Sequence, residues 1–297
     1  MPTTPQPIQL KHVLFLLLLA GIWGASFLFA RVSAPEFGPV AFTSLRIGFA
    51  AIALLPILFM HNHWQVLREN IGLISLVSLL NSAIPFMLLA YTTLYLSAGI
   101  TSVLNSFVPI FSGVIAHYYL KDHLSRKQSI GLLIGIIGVA ILMSDKLALG
   151  NNTILPLCAA FLSSLSYAVS ANVTKRKLNH VKPRLLAASS MFCAGVILIP
   201  FGILYWPAQL PGTTAWASVI AVALLSTAFA YLIFFWLIKE VGPTKTVSVT
   251  LIIPVFGIIW GALFLNESIT ASILVGTLVI LFGAYLSLGL NWFVRQR

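Results

Sequence analysis

The sequence predicts an all-α integral membrane protein with ten transmembrane helices, which form an inverted repeat of five plus five helices around a central cavity. The composition predicts the membrane, because 59% of the 297 residues are hydrophobic and 8% are charged, whereas soluble domains carry roughly 25% charged residues. The uneven distribution of basic residues predicts an even number of spans. An internal repeat predicts the two halves.

The repeat covers nearly the whole chain. Residues 97–142 align without a gap on residues 242–287, at a shift of 145 positions, and the earlier part aligns at a shift of 144. One residue of slippage between Pro200 and Trp216 reconciles the two shifts. The paired positions include Trp23 with Tyr167, Ser26 with Ser170, Arg31 with Lys175, Thr101 with Thr246, Pro109 with Pro254, and Asp122 with Glu267. We therefore expect two related five-helix units, residues 1–148 and 149–297.

Each crossing of a bilayer core needs about 20 apolar residues. The chain offers ten such segments with short connections, so we expect no inserted soluble domain. Their expected bounds are 13–32, 39–60, 71–93, 97–119, 128–144, 153–174, 185–206, 214–238, 244–265 and 271–292.

The basic residues predict the orientation of these spans. If both termini are cytoplasmic, all but three of the 17 Lys and Arg residues lie on the cytoplasmic side; Lys146 lies outside, and Arg31 and Arg46 lie within spans. Such a bias is typical of cytoplasmic loops. We therefore expect a multi-pass protein of the inner (plasma) membrane with both termini cytoplasmic. Because each half has an odd number of spans, the second half enters from the opposite side, and the repeat is inverted.

Arg46 is the candidate residue with the clearest chemistry. It lies several residues into the second span, where an arginine costs about 3 kcal/mol on insertion scales and usually faces the bundle interior. It could hold an anionic group such as a carboxylate through a forked pair of hydrogen bonds. It could instead bind backbone carbonyls or extend to the outer face. Its repeat partner is Ser190, so the repeat does not require an arginine.

Other candidate substrate-binding residues are polar or aromatic side chains within the spans. Polar residues recur at helical spacing, which directs them toward other helices or water, so they either link helices or contact a solute. The aromatic residues either pack at interfaces or stack on a solute. Besides Arg46, the candidates are Trp23, Ser26, Asn81, Tyr91, Asn105, Tyr167, Ser170 and Trp236.

Pro109 and Pro254 lie inside spans at equivalent positions of the repeat. Each removes a backbone hydrogen bond, and in hydrocarbon the freed carbonyl needs another partner. We expect hinges or cavity-lining bends, with static kinks as the alternative. Glycine pairs at 131/135 and 257/261 allow close approach of helices, either within the bundle or at a dimer face.

Some functions are disfavoured by what the sequence lacks. All six carboxylates fall at span ends or in loops, which weakens the hypothesis of proton antiport through a mid-membrane carboxylate. The two cysteines have no neighbouring His or Cys, so we expect no metal site, no cofactor and no disulfide framework. We find no His/Asp/Ser spacing of a membrane-embedded enzyme. The net charge of +11 is explained by cytoplasmic loops, so no nucleic-acid partner is expected.

Two copies of one pattern identify a family. A mid-span proline is followed about a dozen residues later by an acid and then by two glycines, as Pro109, Asp122, Gly131 and Gly138 and again as Pro254, Glu267, Gly276 and Gly283. The segments GIWGASF at 21–27 and SLRIG at 44–48 resemble the first two spans of the EamA domain. Together these features resemble the ten-span EamA branch of the drug/metabolite transporter superfamily. The first copy departs from the pattern, which usually has Glu where Asp122 stands.

The resemblance implies a basket of ten helices around a central cavity, with the fifth and tenth spans set to the side. It also implies secondary transport of small metabolites, often the export of amino acids or toxic compounds. We therefore expect a carrier, not an enzyme, that exports an amino acid or related solute across the inner membrane by alternating access. The alternatives are metabolite uptake, efflux of an aromatic or quaternary cation, a passive channel, and a membrane-embedded enzyme. The expected partners are a small-molecule solute and the lipid bilayer, and the protein is a monomer or a homodimer.

Overall fold

The computed structural model describes residues 9–60, 63–121, 126–144, 153–242, 246 and 248–288. Most of these residues lie in helices, short non-helical connections join the helices, and none of the described residues lies in a strand. Six of the described helices are long and apolar enough to cross a membrane, and two further apolar helices are shorter. The predicted all-α membrane class is therefore confirmed, and the protein is a multi-pass membrane protein.

The described helices follow one another with short connections. In chain order they are α1 (Leu10–Leu58), α2 (His63–Glu69), α3 (Ile71–Tyr95), α4 (Ala98–Tyr119), α5 (Arg126–Leu142), α6 (Ile154–Lys177), α7 (Pro183–Leu204), α8 (Thr213–Val241), α9 (Val249–Leu265) and α10 (Ala271–Leu288).

Helix α1 is interrupted at Gly38. Its 49 residues would extend about 74 Å as one continuous helix, more than twice the thickness of a bilayer core. Gly38 has a φ of 71° and a ψ of 157°, a conformation that glycine adopts readily and other residues avoid. Pro39 then occupies the first turn of the following segment, where its missing N–H is not needed. We call the segments before and after Gly38 α1a (10–37) and α1b (39–58).

Two helix irregularities occur at equivalent positions of both halves, whereas the π-helical segment Ala116–Leu120 of α4 has no counterpart in α9. A π-helical segment interrupts α3 at Leu79–Ala83 and α8 at Leu224–Phe229, and the first residues of these segments are paired by the shift of 145. The left-handed residues Lys121 and Asn266 are paired by the same shift, with φ values of 59° and 53°. The repeat in the sequence is thus matched by a repeat in the backbone.

The two predicted hinge prolines lie next to helix breaks. Pro109 occupies the first turn of Val108–Ile115, directly after the turn at 106–107 that interrupts α4. Pro254 occupies the first turn of Ile253–Leu265, after a short 3-10 segment. The N–H groups of a first helical turn have no intrahelical partner, so proline is tolerated there. A hinge function for the two residues stays a prediction.

Glu267 explains the acid in the repeated pattern. Its carboxylate accepts hydrogen bonds from the backbone N–H groups of Ala98, at 2.7 Å, and Gly99, at 3.1 Å. These two groups begin α4, where unpaired N–H groups and the helix dipole favour a negative charge. The acid therefore joins the second half of the chain to a helix of the first half. Its repeat partner, Asp122, lies outside the described residues.

Glycines bring α5 and α10 into backbone contact. A Cβ atom at Gly276 would lie 2.6 Å from the backbone nitrogen of Leu142, and one at Gly283 would lie 2.6 Å from the carbonyl oxygen of Gly131. Real Cβ atoms do not approach backbone atoms this closely. The glycines of the repeated pattern are therefore explained by close helix packing.

We expect the substitution Gly276→Ala to destabilise the protein by about 1–3 kcal/mol, because the added methyl group overpacks a rigid backbone contact. Thermal unfolding of the purified protein in detergent would measure the loss. The matched control is Gly72→Ala, since a Cβ at Gly72 meets nothing within 4 Å and alanine favours the helix. Equal melting temperatures for the two variants would contradict the prediction.

Candidate functional site

A cavity of about 570 Å³ lies at the centre of the helical bundle. Its volume is within the range of small-molecule sites, roughly 300–1,000 Å³. Helices α1, α3, α4, α6, α7, α8 and α9 contribute lining residues, whereas α5 and α10 contribute none. Both halves of the chain therefore form the walls, and the glycine-packed pair α5/α10 stands aside.

The structure brings most of the predicted site residues together in this cavity. Seven of the nine candidates line it: Trp23, Ser26, Arg46, Asn81, Asn105, Tyr167 and Ser170. The structure shows that these residues share one cavity. Their role in binding a solute stays a prediction.

Tyr91 and Trp236 are not part of the lining. The ring of Tyr91 packs on Tyr95, with ring centroids 5.1 Å apart, and Trp236 packs on Phe15 at 4.8 Å. The two positions are paired in the repeat, and each follows a π-helical segment. Both residues are candidates because they are aromatic and lie within spans, and this alone does not tell which face of the helix they occupy.

Arg46 is held at the cavity wall by two contacts. Its side chain is 7% exposed. Its Nε donates a hydrogen bond of 3.2 Å to the hydroxyl of Thr227 in α8, and its Cζ lies 3.6 Å from the ring centroid of Phe86 in α3. The two terminal nitrogens, Nη1 and Nη2, make no hydrogen bond within the described part of the chain. The guanidinium group is thus fixed in place while its terminal N–H donors remain available.

The charges of the cavity lining are all positive. Arg46 and Lys175 line the cavity, and no Asp or Glu of the described ranges does. Among the described residues, no carboxylate lies within ion-pair distance of Arg46. A buried cation without a counter-ion is costly in a low-dielectric environment. The cavity therefore favours an anionic group and disfavours a solute that is only cationic.

Several hydroxyl groups of the lining donate to backbone carbonyls. Ser26 donates to Trp23 at 2.6 Å, Ser170 donates to Val77 at 3.4 Å, and Ser226 donates to Ile22 at 2.8 Å. The last two bonds join different helices, so these serines contribute to helix association as well as to the lining. Each hydroxyl then presents only its lone pairs to the cavity.

Aromatic side chains form much of the remaining wall. The ring of Trp23 lies 5.3 Å from Phe234, and the ring of Tyr231 lies 5.9 Å from Phe235, nearly parallel. These residues line the cavity. Their flat apolar faces suit the hydrocarbon body of an organic solute.

Sequence reasoning gave no binding role to several lining residues, among them Phe86, Ser190, Thr227 and Tyr231. Phe86 and Thr227 contact Arg46, whereas Ser190 and Tyr231 are the repeat partners of Arg46 and Phe86. The residues that contact Arg46 are distant from it in the sequence, so only the structure identifies them. The repeat then gives their equivalent positions in the other half.

The cavity extends toward the connection between α6 and α7. Asn179, Val181 and Pro183 of this connection line it, together with Lys175. Contacts between the two halves also join α1a to the start of α8: Ser33 donates to the carbonyl of Ala215, and the carboxylate of Glu36 accepts from the N–H of Gly212, directly before α8.

A multi-pass helical bundle around a basic, aromatic-lined cavity is typical of proteins that carry small solutes across membranes. The family model of the EamA-like transporter family matches residues 10–144 and 154–289. The chain belongs to this family, which places it in the drug/metabolite transporter superfamily, as the sequence motifs predict. The family and the names of its relatives indicate a transporter and not an enzyme. Among the described residues, no group of three His, Cys, Asp or Glu could hold a metal ion.

Named relatives are similar over almost their whole length. The uncharacterized transporter YoaV of Bacillus subtilis (strain 168) is 25% identical over 288 residues, which are 94% of this chain and 97% of that protein. A probable amino-acid metabolite efflux pump of Escherichia coli (strain K12) is 22% identical over 293 residues, 95% of this chain and 96% of that protein. A solved crystal structure with 15% identity gives a TM-score of 0.66 and covers 94% of this chain and 96% of that chain. This last similarity shows a shared fold.

We expect the substitution Thr227→Val to destabilise the protein by about 1–3 kcal/mol, because it removes the buried acceptor of a charged donor. Valine keeps the shape of the side chain, and Thr227→Ser, which keeps the oxygen, is the matched control. The melting temperatures of both variants in detergent, compared with the unsubstituted protein, test this. If valine and serine lower the melting temperature equally, the hydrogen bond to Arg46 is not the cause.

Proposed function

We propose that the protein is a secondary transporter that exports a small organic solute with a carboxylate group, an amino acid with an apolar side chain above all, across the inner membrane. The observation that carries this proposal is the pair of free terminal nitrogens of Arg46 at a cavity wall without acidic residues. The name of the similar protein of Escherichia coli, a probable amino-acid metabolite efflux pump, supports the solute class and the direction.

The geometry of Arg46 favours a carboxylate. Because Nε already donates to Thr227, a carboxylate would approach the Nη1/Nη2 edge and accept two parallel hydrogen bonds, the strongest arrangement for this pair. The contact with Phe86 holds the guanidinium plane, so little side-chain freedom is lost on binding. The aromatic wall then receives the apolar body of the solute. An organic cation would meet the charge of Arg46, which pairs with no described carboxylate.

The described helices can be assigned to ten membrane crossings, five in each of two inverted halves. Helices α1a, α1b and α3 through α10 supply ten crossings, whereas the seven residues of α2 are too short to cross. Each half then has five crossings, and this odd number inverts the second half relative to the first. The paired π segments and left-handed residues support the equivalence of the halves. With both termini cytoplasmic, the α6–α7 connection is cytoplasmic, and the cavity faces the cytoplasm.

The protein would change from this inward-facing state to an outward-facing one by breaking contacts in one half and forming the contacts that the repeat pairs with them in the other half. Arg31 at the end of α1a donates to the backbone carbonyl of Thr93, at the outer side of the bundle. The repeat pairs Arg31 with Lys175 and Thr93 with Ile238, and both partners line the cavity near its cytoplasmic opening. In the outward-facing state we expect Lys175 to approach the carbonyl of Ile238. Two related halves thus give two states of similar energy, which alternating access requires.

We expect the substitution Arg46→Gln to lower uptake of labelled leucine into proteoliposomes by at least about tenfold, since it removes the charge that binds the carboxylate. Arg46→Lys should retain part of the activity, because a lysine keeps the charge but not the fork. The matched control is Arg68→Gln, which changes an exposed arginine of α2. If a panel of amino acids moves no faster than in empty vesicles, the proposed solute class is wrong. Unchanged flux in Arg46→Gln would instead show that Arg46 does not bind the solute.

We expect single cysteines at Lys121 and Asn266 to react with an impermeant maleimide from opposite faces of the membrane, because an inverted repeat places equivalent loops on opposite sides. Both native cysteines, Cys158 and Cys193, are first replaced by alanine. Labelling in right-side-out and inside-out vesicles measures the side of each position. Reaction of both cysteines from one face would contradict the inverted arrangement.

A further inference from the structure

A hydroxyl group from the second half of the chain lies beside Arg46, which belongs to the first half. Tyr167 of α6 lines the cavity, and its ring packs on Phe86, with the ring centroids 6.4 Å apart. The guanidinium group of Arg46 lies over the same Phe86 ring, with Cζ 3.6 Å from the centroid. The hydroxyl of Tyr167 is also within electrostatic range of Arg46. Two polar groups, one from each half, are therefore neighbours around one aromatic ring.

The hydroxyl of Tyr167 has no hydrogen-bond partner among the described residues. It is also not among the polar atoms that the protein encloses, so its O–H is free to donate into the cavity. The terminal nitrogens of Arg46 are available in the same way. Polar groups inside a protein normally have a partner, and in an open cavity water or a solute supplies it.

A hydrogen bond next to Tyr167 fixes the position of this residue. The hydroxyl of Ser166 donates to the backbone carbonyl of Leu80 at 2.8 Å, and Leu80 belongs to the π-helical segment of α3. This bond joins the turn of α6 that carries Tyr167 to the helix that carries Phe86. The hydroxyl of Tyr167 is therefore held beside Arg46 before a solute binds, so little side-chain freedom is lost on binding.

We propose that Tyr167 is a second carboxylate-binding residue, which donates its hydroxyl to the same solute carboxylate as Arg46. This inference rests on the proposed function, in which Arg46 binds that carboxylate. A carboxylate has two oxygens with about four acceptor sites, so it accepts two bonds from the Nη1/Nη2 edge and a third from a hydroxyl. The bound carboxylate then joins α1b of the first half to α6 of the second half. Binding of the solute thus acts directly on the relative position of the two halves, which alternating access changes.

Two other polar residues of the lining are less suited to this third bond. The hydroxyl of Tyr231 also lies near Arg46, but the side chain of Asn81 already lies within hydrogen-bond range of it. Lys175 follows Tyr167 by eight residues, about 12 Å along the axis of α6, and has an interaction of its own within the protein. The third bond therefore comes from Tyr167.

The substitution Tyr167→Phe removes only the hydroxyl. We expect the dissociation constant for leucine, measured by equilibrium binding to the purified protein in detergent, to rise about tenfold, because a hydrogen bond to a charged group is lost. The melting temperature of the empty protein should not fall, since the hydroxyl has no protein partner there. The matched control is Tyr95→Phe, which changes a tyrosine that is 51% exposed and outside the lining. Leucine binding that is unchanged in Tyr167→Phe would overturn the inference, whether or not the melting temperature falls.

A second ligand shows which group of the solute meets Tyr167. Isocaproate is leucine without its amino group, so it keeps the carboxylate and the apolar body. We expect Tyr167→Phe to raise the dissociation constants of leucine and isocaproate by the same factor, because both ligands lose the same bond. A rise for leucine alone would place the hydroxyl at the ammonium group and overturn the inference.

The variant Arg46→Gln separates a failure of this inference from a failure of the proposed function. If Arg46→Gln weakens leucine binding and Tyr167→Phe does not, the carboxylate is bound by Arg46 without Tyr167, and only the inference fails. If neither substitution weakens leucine binding, the proposed function fails as well.

Discussion

The buried guanidinium group of Arg46 is the constraint on which the cavity depends. Its ring contact with Phe86 and its bond to Thr227 hold it in place, and among the described residues no acid lines the cavity around it. Removing a charge from water is expensive unless another charge offsets the cost. In the function that we propose, the carboxylate of the solute supplies this second charge.

The two halves of the chain are alike in backbone and different in charge. Paired π segments, paired left-handed residues and paired prolines give both halves the same shape. Arg46 and Ser190 are equivalent in the repeat, and both line the cavity, but only Arg46 carries a charge. In the proposed mechanism, the backbone similarity gives two states of similar energy, and Arg46 binds the solute.

The sequence alone predicts the helical class and the family, and seven of its nine candidate residues line the cavity; the positions of the other two have a physical explanation. Arg46 could be placed in the cavity because a buried charge has few alternatives in a membrane. Tyr91 and Trp236 could not be excluded, because the spans are apolar on all faces and the residues that form a π segment have no distinct composition. The structure places both residues outside the lining, where Tyr91 packs on Tyr95 and Trp236 packs on Phe15. The contacts around Arg46 join α1b, α3 and α8, and no local pattern relates such distant segments.

The glycine contact between α5 and α10 bears on where motion can occur. Each helix belongs to a different half, yet their backbones touch without intervening side chains, so sliding or separation would open a void that nothing could fill. Outward-facing residues of the pair, such as Leu133 and Leu278, are exposed on the bundle surface and would face lipid. We therefore expect any rearrangement of the bundle to leave this pair together, so that the cross-section presented to the surrounding lipid changes least on this side of the protein.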